Sequence, residues 1–340
     1  MGSRPTIDDV ARLAGVHKAT VSRALNRSTE GLVGRDTVVR VREAADALGY
    51  VPNIMARGLR TASSMTIGVV IPDLTNPLFP PIVRGIENHL LSRGYTALLA
   101  NTDENEAMER VAIGSLLARR VDGLIIGSGH RDDATLEEIH RAGVRAVLLN
   151  RDAGDIPYPL VVGQDAEGIL ASIEHLVELG HRDLLHIAGP PGLSTSAARR
   201  VAFETACAEA GVRGRVMEVD SLTAEAGQRA AEAMLDDVTD RPTAVVAGND
   251  LIALGVLRTL RAHGIQCPAD MSVVGFNDMV FAEDLHPPLT TVRVPARQMG
   301  EEAARLLLRI LDTGESETGR VLLPVSLVVR GSTGPAPARR

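Results

Sequence analysis

The residue pattern calls for an α/β chain: a small all-α head followed by a body of parallel sheets covered by helices. Three observations carry this. Residues 6–26 show two short helical stripes around a glycine. From Met65 onward, short apolar runs alternate with amphipathic stretches, which is βαβ repetition. Charge is divided the same way: residues 1–62 hold 10 basic and 6 acidic side chains (+4), while the other 278 hold 26 and 37 (−11), within a total of −7.

In the head, Thr6 caps a first helix and Asp9, at its third position, completes a capping-box variant. Val10, Leu13 and Ala14 form its apolar stripe, and Gly15 supplies the positive φ of the turn. Val21, Ala24 and Leu25 give the second helix a buried face, with small Ala11 opposite Val21 so that the helices cross closely, as in a helix-turn-helix. The opposite face carries His17, Lys18, Ala19, Ser22 and Arg23, the polar and cationic groups that major-groove reading and phosphate contact need. An ordinary αα-hairpin would show the same apolar stripes but has no use for that face.

A third helix is expected over 36–48, with Val38, Val41, Ala45 and Leu48 inside and Tyr50 closing the small core. Residues 52–61 form at most two helical turns, capped by Asn53 and weakened by Gly58. A segment so short is marginal alone, so it is expected to be a flexible linker.

In the body, strands are expected at 67–71, 96–100, 123–127, 146–150 and 160–163, then at 184–188, 216–219, 244–247 and 272–275. Helices between them show core stripes such as Ile82, Ile86 and Leu90, or Met299, Ala303, Leu306 and Ile310. Two strand series imply two sheets with a cleft between, and ligands bind at the carboxyl ends of such strands. Asp73, Asn76 and Phe79 follow the first strand, Asn150 and Arg151 the fourth; Arg199 opens a helix after the Gly189 turn, and Asn249 and Asn277 each follow a later strand. Asp250 and Asp278 are expected to be helix N-caps, and Phe203, Phe276 and Phe281 core residues. The segment 332–340, rich in Gly, Pro and Ala, has a disordered composition.

Several functions are excluded. No apolar run approaches 20 residues and the first residues lack a signal-peptide core, so a cytoplasmic protein is expected. Cys207 and Cys267 make no ligand or disulfide pattern. There is no nucleophile elbow or P-loop, and Pro190 and Pro191 deprive the Gly189 turn of the N–H groups a phosphate loop needs. His175, His181 and His186 lack metal-ligand spacing. No catalytic residue, metal or cofactor is expected.

The strings Ile7-Asp-Asp-Val-Ala-Arg-Leu-Ala-Gly-Val, Thr20-Val-Ser-Arg-Ala-Leu-Asn26 and Leu48-Gly-Tyr-Val-Pro-Asn53 resemble the lactose-repressor (LacI/GalR) family of bacterial transcription regulators. So do Ile67–Pro77, Arg120-Val-Asp-Gly-Leu-Ile125, Gly248-Asn-Asp250 and Ser272–Phe276, which extend the likeness over most of the chain. The resemblance implies a helix-turn-helix domain (1–51), a hinge helix (52–64) and a two-lobed periplasmic-binding-protein-like core (65–331), with lobe 1 at about 65–163 and 293–321 and lobe 2 at about 164–292 and 322–331. It places DNA contacts at Thr6, His17, Lys18, Ala19, Thr20, Ser22, Arg23 and Asn26, and in the hinge at Asn53, Ala56, Arg57, Leu59 and Arg60. His17 and Gly34 stand where the family commonly has a capping serine, and neither is as good a cap.

The same resemblance assigns Asp73, Asn76, Phe79, Asn150, Arg151, Arg199, Asn249, Phe276 and Asn277 to a small-molecule effector, with Asn150 and Asn277 replacing frequent aspartates. Retention of Arg199 without those carboxylates points to a sugar, sugar acid or sugar phosphate. The partners implied are a pseudo-palindromic DNA operator, a carbohydrate effector and a second copy of the chain. Two other readings share part of this pattern: a regulator of the same DNA-binding type controlled by a protein partner, and a soluble sugar-binding module, which would leave the head without a purpose.

Overall fold

A computed structural model of the chain describes residues 5–25, 30–50, 63–130, 133–236, 241–314 and 318–338. They form two compact units, Met1–Ser64 and Met65–Arg340.

In the first unit, α1 (Ile7–Ala14), α2 (Lys18–Ala24) and α3 (Arg35–Leu48) enclose a core whose fully buried members, among the described residues, are Val and Ala, including Val10, Ala11, Val21, Ala24 and Val41. Leu48 and Tyr50 pack on its rim. Leu13 departs from the expected stripe: it is 56% exposed, while Val10, Ala11 and Ala14 form the buried face of α1. A core this small stabilises weakly, so helix ends matter. Thr6 accepts from the Asp9 amide at 3.4 Å and its own amide donates to Asp9 at 2.9 Å. The Thr6 hydroxyl, donating to the Asp9 carboxylate at 2.6 Å, and the Thr6 amide together hold that carboxyl below its ordinary range. Thr6→Ala should therefore cost about 1 kcal/mol, read as faster hydrogen exchange at the α1 amides.

The second unit contains β1 (Thr66–Ile71), β2 (Thr96–Asn101), β3 (Gly123–Ile126), β4 (Ala146–Leu149), β5 (Leu160–Gly163) and β11 (Arg320–Leu323) in one sheet. Its order is β11-β5-β4-β3-β1-β2, all pairs parallel. The other sheet holds β6 (Asp183–Ala188), β7 (Arg213–Glu218), β8 (Ala244–Ala247), β9 (Ser272–Asn277), β10 (Thr290–Arg293) and β12 (Ser326–Val328). Its order is β12-β10-β9-β8-β6-β7, with β12 alone antiparallel. Covering helices are α4 (Phe79–Ser92), α5 (Glu106–Ala118), α6 (Ala134–Arg141) and α11 (Ala296–Thr313) in the first lobe. The second lobe has α7 (Asp165–Glu178), α8 (Ser194–Glu209), α9 (Ala224–Asp236) and α10 (Asp250–Ala262). Among the described residues no helix is long and apolar enough to cross a membrane.

Each lobe owns one crossing of glycine-lined helices. A Cβ on Gly300 of α11 would lie 2.0 Å from the Ile82 carbonyl oxygen of α4, and one on Gly85 2.1 Å from that of Arg297. In the second lobe, a Cβ on Gly255 would meet the Ala224 carbonyl at 2.1 Å, and one on Gly227 that of Ile252 at 2.3 Å. The chain crosses between lobes after β5, β10 and β11. The crossings converge at Gly163, where a Cβ would lie 3.2 Å from Val325 and 3.8 Å from Val294.

Four expectations are corrected. β10 and β11 were not foreseen, being four residues each and mixing Thr or Arg with apolar residues. β7 begins at Arg213, not 216, because Arg213 and Arg215 pair with buried Asp183 on the neighbouring strand. Leu322 belongs to β11, so the last crossing follows Leu323. The terminal segment is ordered through residue 338. Buried Ser332 donates to the Val273 carbonyl (2.6 Å) and accepts from the Thr290 amide (2.8 Å), and the Ala336 amide donates to Leu179 (2.8 Å). Its backbone groups find partners on the second lobe, which composition alone cannot reveal.

Candidate nucleic-acid interface and ligand cleft

In the head, Val21 and Ala24 turn one face of α2 into the core, which leaves His17, Lys18 and Arg23 exposed and Ala19, Thr20 and Ser22 half-buried on the other. His17 corrects the expectation of a weak cap: its Nδ1 accepts from the Ala19 amide at 3.2 Å, doing the work of a serine hydroxyl. Gly34 makes no side-chain cap bond at α3. Lys18 Nζ lies 4.0 Å from Asp8, an exposed, solvent-screened pair that holds the ammonium only weakly. Asn26 and the hinge positions Asn53, Ala56, Arg57, Leu59 and Arg60 lie outside the described residues.

In the core, the candidate effector residues all stand at or beyond the carboxyl ends of strands, except Arg199 on α8. Asp73 and Asn76 shape the β1–α4 turn: Asp73 accepts from Thr75 (2.7 Å) and Asn76 from the Leu78 amide (3.1 Å). Phe79 is 1% exposed and packs in the main core. Buried Arg151 is bound in bidentate fashion by Glu104, at 2.6 and 2.7 Å. Arg199 donates to Asp165 (2.9 Å) and to the Gly248 carbonyl (2.7 Å), and lies 3.7 Å above the Phe276 ring. Asn249 caps α10 through the Ile252 amide (2.8 Å) and donates to the Leu222 carbonyl (3.1 Å). Asn150 (φ 65) and Asn277 (φ 110) adopt left-handed backbone, which asparagine tolerates better than most residues.

Asn150 and Asn277 line different cavities. Asn150 lines a cavity of about 830 Å³ with Asp152, Asp165, Ser194, Thr195 and Arg320. Asn277 lines another, of about 640 Å³, with Leu78, Met279 and Arg297. Asp165 and Ser194 were missed in the sequence. Asp165 looks like one more acidic residue in a first helical turn, and Ser194 like a helix start, yet Ser194 accepts from the Asp152 amide of the other lobe at 2.8 Å.

The expected cap roles of Asp250 and Asp278 do not hold. Asn249 caps α10, and the residues after Asp278 form turns; Asp278 pairs instead with Arg293 (2.6 Å) and Arg330 (2.8 Å). Asp250 is fully buried, accepting from the Met279 amide (2.6 Å) and Thr291 Oγ1 (2.5 Å), and burial pushes its carboxyl from 3.8 up to about 7. The folded state therefore holds a proton that the unfolded state releases. This contribution to stability is present below pH 4 and is lost as pH rises through about 7. Asp250→Asn should flatten that part of the stability profile, measured by urea unfolding at intervals between pH 4 and 8. Of the histidines, His186 is buried against Phe203 and driven down to about 4 by burial, while His181 bonds Thr243, Ser272 and Gly334.

Comparison with known proteins fits this geometry. Residues 6–53 match the model for bacterial regulatory proteins of the lacI family, and residues 173–333 that for a periplasmic binding protein-like domain. The regulator RegA of Clostridium saccharobutylicum is 34% identical over 96% of this chain and 99% of its own length. The repressor CytR of Escherichia coli K12 is 33% identical over 98% and 97%, and the ribose operon repressor of Halalkalibacterium halodurans is 34% identical over 96% and 97%. Among solved structures, the lac repressor dimer bound to operator and the anti-inducer ONPF superimposes with a TM-score of 0.88 at 30% identity, covering 98% of this chain and all of that one. The regulator CelR in complex with cellobiose gives 0.73 at 33% identity, over 97% and 100%. With a capped reading helix in its head and two parallel-sheet lobes joined by three crossings, the chain belongs to the lacI family of bacterial regulatory proteins.

Proposed function

We propose that the chain is a dimeric repressor that binds a pseudo-palindromic operator through α2 and changes its operator affinity when a neutral carbohydrate binds at the cleft. The observation that carries the DNA reading is the face of α2, where Lys18 and Arg23 are exposed opposite buried Val21. Arg23 has the reach for a bidentate guanine contact, worth about 1–3 kcal/mol of discrimination; Ala19 offers an apolar surface to a thymine methyl. Relatives named as operon repressors, and the lac repressor dimer bound to operator, support the same reading. Exposed Leu98 and Leu99 on the edge strand β2 support a face for a second copy. Such a protein acts in the cytoplasm, where the DNA is.

For the effector, the cellobiose complex of CelR and the relative named as a ribose operon repressor support a sugar. Two buried ion pairs favour an uncharged sugar derivative. Arg199 is already met by Asp165 and Arg151 by Glu104, so neither cation is left to balance an acid or phosphate. An uncharged polyol, exchanging hydrogen bonds with Asn150, Asp165 and Ser194, fits better. The mechanism is linkage: ligand alters the angle between lobes about the crossings at Gly163, and operator affinity changes by the same factor as ligand affinity, typically about 1–3 kcal/mol.

The test is fluorescence anisotropy on the DNA upstream of the gene, with and without neutral sugars and their phosphates. A salt-dependent, sequence-specific complex weakened by a neutral sugar is expected; equal binding to random DNA would end the reading. In the hinge, the resemblance places Leu59 as a minor-groove wedge. Leu59→Ala should weaken operator binding at least tenfold while leaving non-specific binding within twofold, and parallel losses on both DNAs would exclude the wedge.

A further inference from the structure

The carboxyl end of β3 opens into a group of side chains that neither the DNA face nor the effector cleft uses. Glu109 lies on α5, Ser128 and His130 in the segment leaving β3, and Asp133 at the N-terminus of α6. One ligand atom from each of Glu109, His130 and Asp133 falls within 4.8 Å of the other two. Glu109 is 1% exposed, and both its carboxylate oxygens lack hydrogen-bond partners. His130 Nδ1 and the hydroxyl of wholly buried Ser128 are unpartnered as well.

The nearest cationic group is the His130 ring, whose Nδ1 lies 4.0 Å from Glu109 Oε2, too far for a hydrogen bond, and a buried carboxylate so weakly met is destabilising unless something neutralises it. The nearby Arg151 is not free to do so, since both its terminal nitrogens are held by Glu104. Asp133 gives one oxygen to the Thr135 and Leu136 amides and, as a second negative charge, makes matters worse for Glu109. Two carboxylates and an imidazole nitrogen within 4.8 Å of one another, one carboxylate buried without a hydrogen bond, form a donor set for a divalent cation.

We propose that Glu109, His130 and Asp133 bind one divalent transition-metal ion of the zinc, cobalt or manganese class, with Ser128 Oγ available as a fourth donor. The imidazole nitrogen selects this class over calcium or magnesium, which take oxygen ligands. The ion would tie α5, the end of β3 and the start of α6 into one rigid wall beside Arg151. The donors come from three elements, and His130 stands alone between glycine and arginine, so no motif announces them.

The experiment uses untagged, chelator-treated full-length protein, titrated with Co2+ and followed by visible d–d absorption, with melting measured in parallel with Zn2+. A saturable spectrum at one equivalent and a raised melting temperature are expected. Glu109→Gln and His130→Ala should each weaken Co2+ binding at least tenfold. Glu109→Gln, which removes a buried charge, should melt no lower than the parent without metal, separating lost ligation from lost folding. Asp133→Asn keeps the cap of α6 and should also lose affinity. The proposal is overturned by the absence of one-to-one binding, by a spectrum unchanged in Glu109→Gln, or by preference for Ca2+ over Zn2+.

Discussion

Arg199→Ala loses about 3–5 kcal/mol of folding stability and, with it, effector binding. The Arg199 side chain is 6% exposed and that of its partner Asp165 13%, so solvent cannot take over the pairing. Truncation leaves a buried carboxylate without its cation and the Gly248 carbonyl without its donor, and removes the guanidinium from the Phe276 face. Burial already raises the Asp165 carboxyl above its ordinary range against the downward pull of Arg199, so losing Arg199 favours its protonation. Replacing both partners, as in Arg199→Met with Asp165→Asn, should recover much of the stability but none of the binding. Denaturant unfolding of the two variants separates these effects. A loss below about 1 kcal/mol for Arg199→Ala would place the pair among solvent-screened contacts.

Gly300→Ala comes second, with an expected loss of about 3 kcal/mol. The added methyl would stand 2.0 Å from the Ile82 carbonyl oxygen and 3.0 Å from the Ile86 amide nitrogen, both backbone, so no rotamer change relieves it. Helix α11 must move off α4, opening the face on which Ile82, Ile86 and Met299 are buried. For a unit of this size the melting temperature should fall by roughly 6–12 °C. Gly114 of α5 supplies the control: it is exposed with nothing within 4 Å of the added carbon, so Gly114→Ala should be stabilising by up to about 1 kcal/mol. Calorimetry on both variants distinguishes close approach from helix propensity; an unchanged Gly300→Ala transition would show that the two helices slide at no cost.

Both features mark where sequence reasoning stops. Strands β1, β3, β4 and β8 could be read directly because covering helices bury both faces, leaving uninterrupted apolar runs such as Gly123-Leu-Ile-Ile126. The capping box at Thr6 and the buried side of α2 could also be read, since local chemistry sets them. What escaped is held by distant partners. Glu104 lies 47 residues from Arg151 and Asp165 34 residues from Arg199, separations without periodicity. The same holds for the Glu109, His130 and Asp133 cluster, although His175, His181 and His186 were weighed for metal. Strands β10 and β11 are too short and mixed to stand out, and the Gly-Pro-Ala composition of the last residues concealed the buried Ser332.

Strands β11 and β12 complete the two sheets within nine residues of each other, near the end of the chain. A nascent polypeptide must therefore emerge past residue 328 before both β5 and β10 have their outer partners. Until then β5 and β10 both offer open backbone to other chains. A frameshift or premature stop after about residue 315 would spare the reading head and nearly all of both lobes. It would still leave two unfinished sheets at once, with the outer edges of β5 and β10 both unpaired.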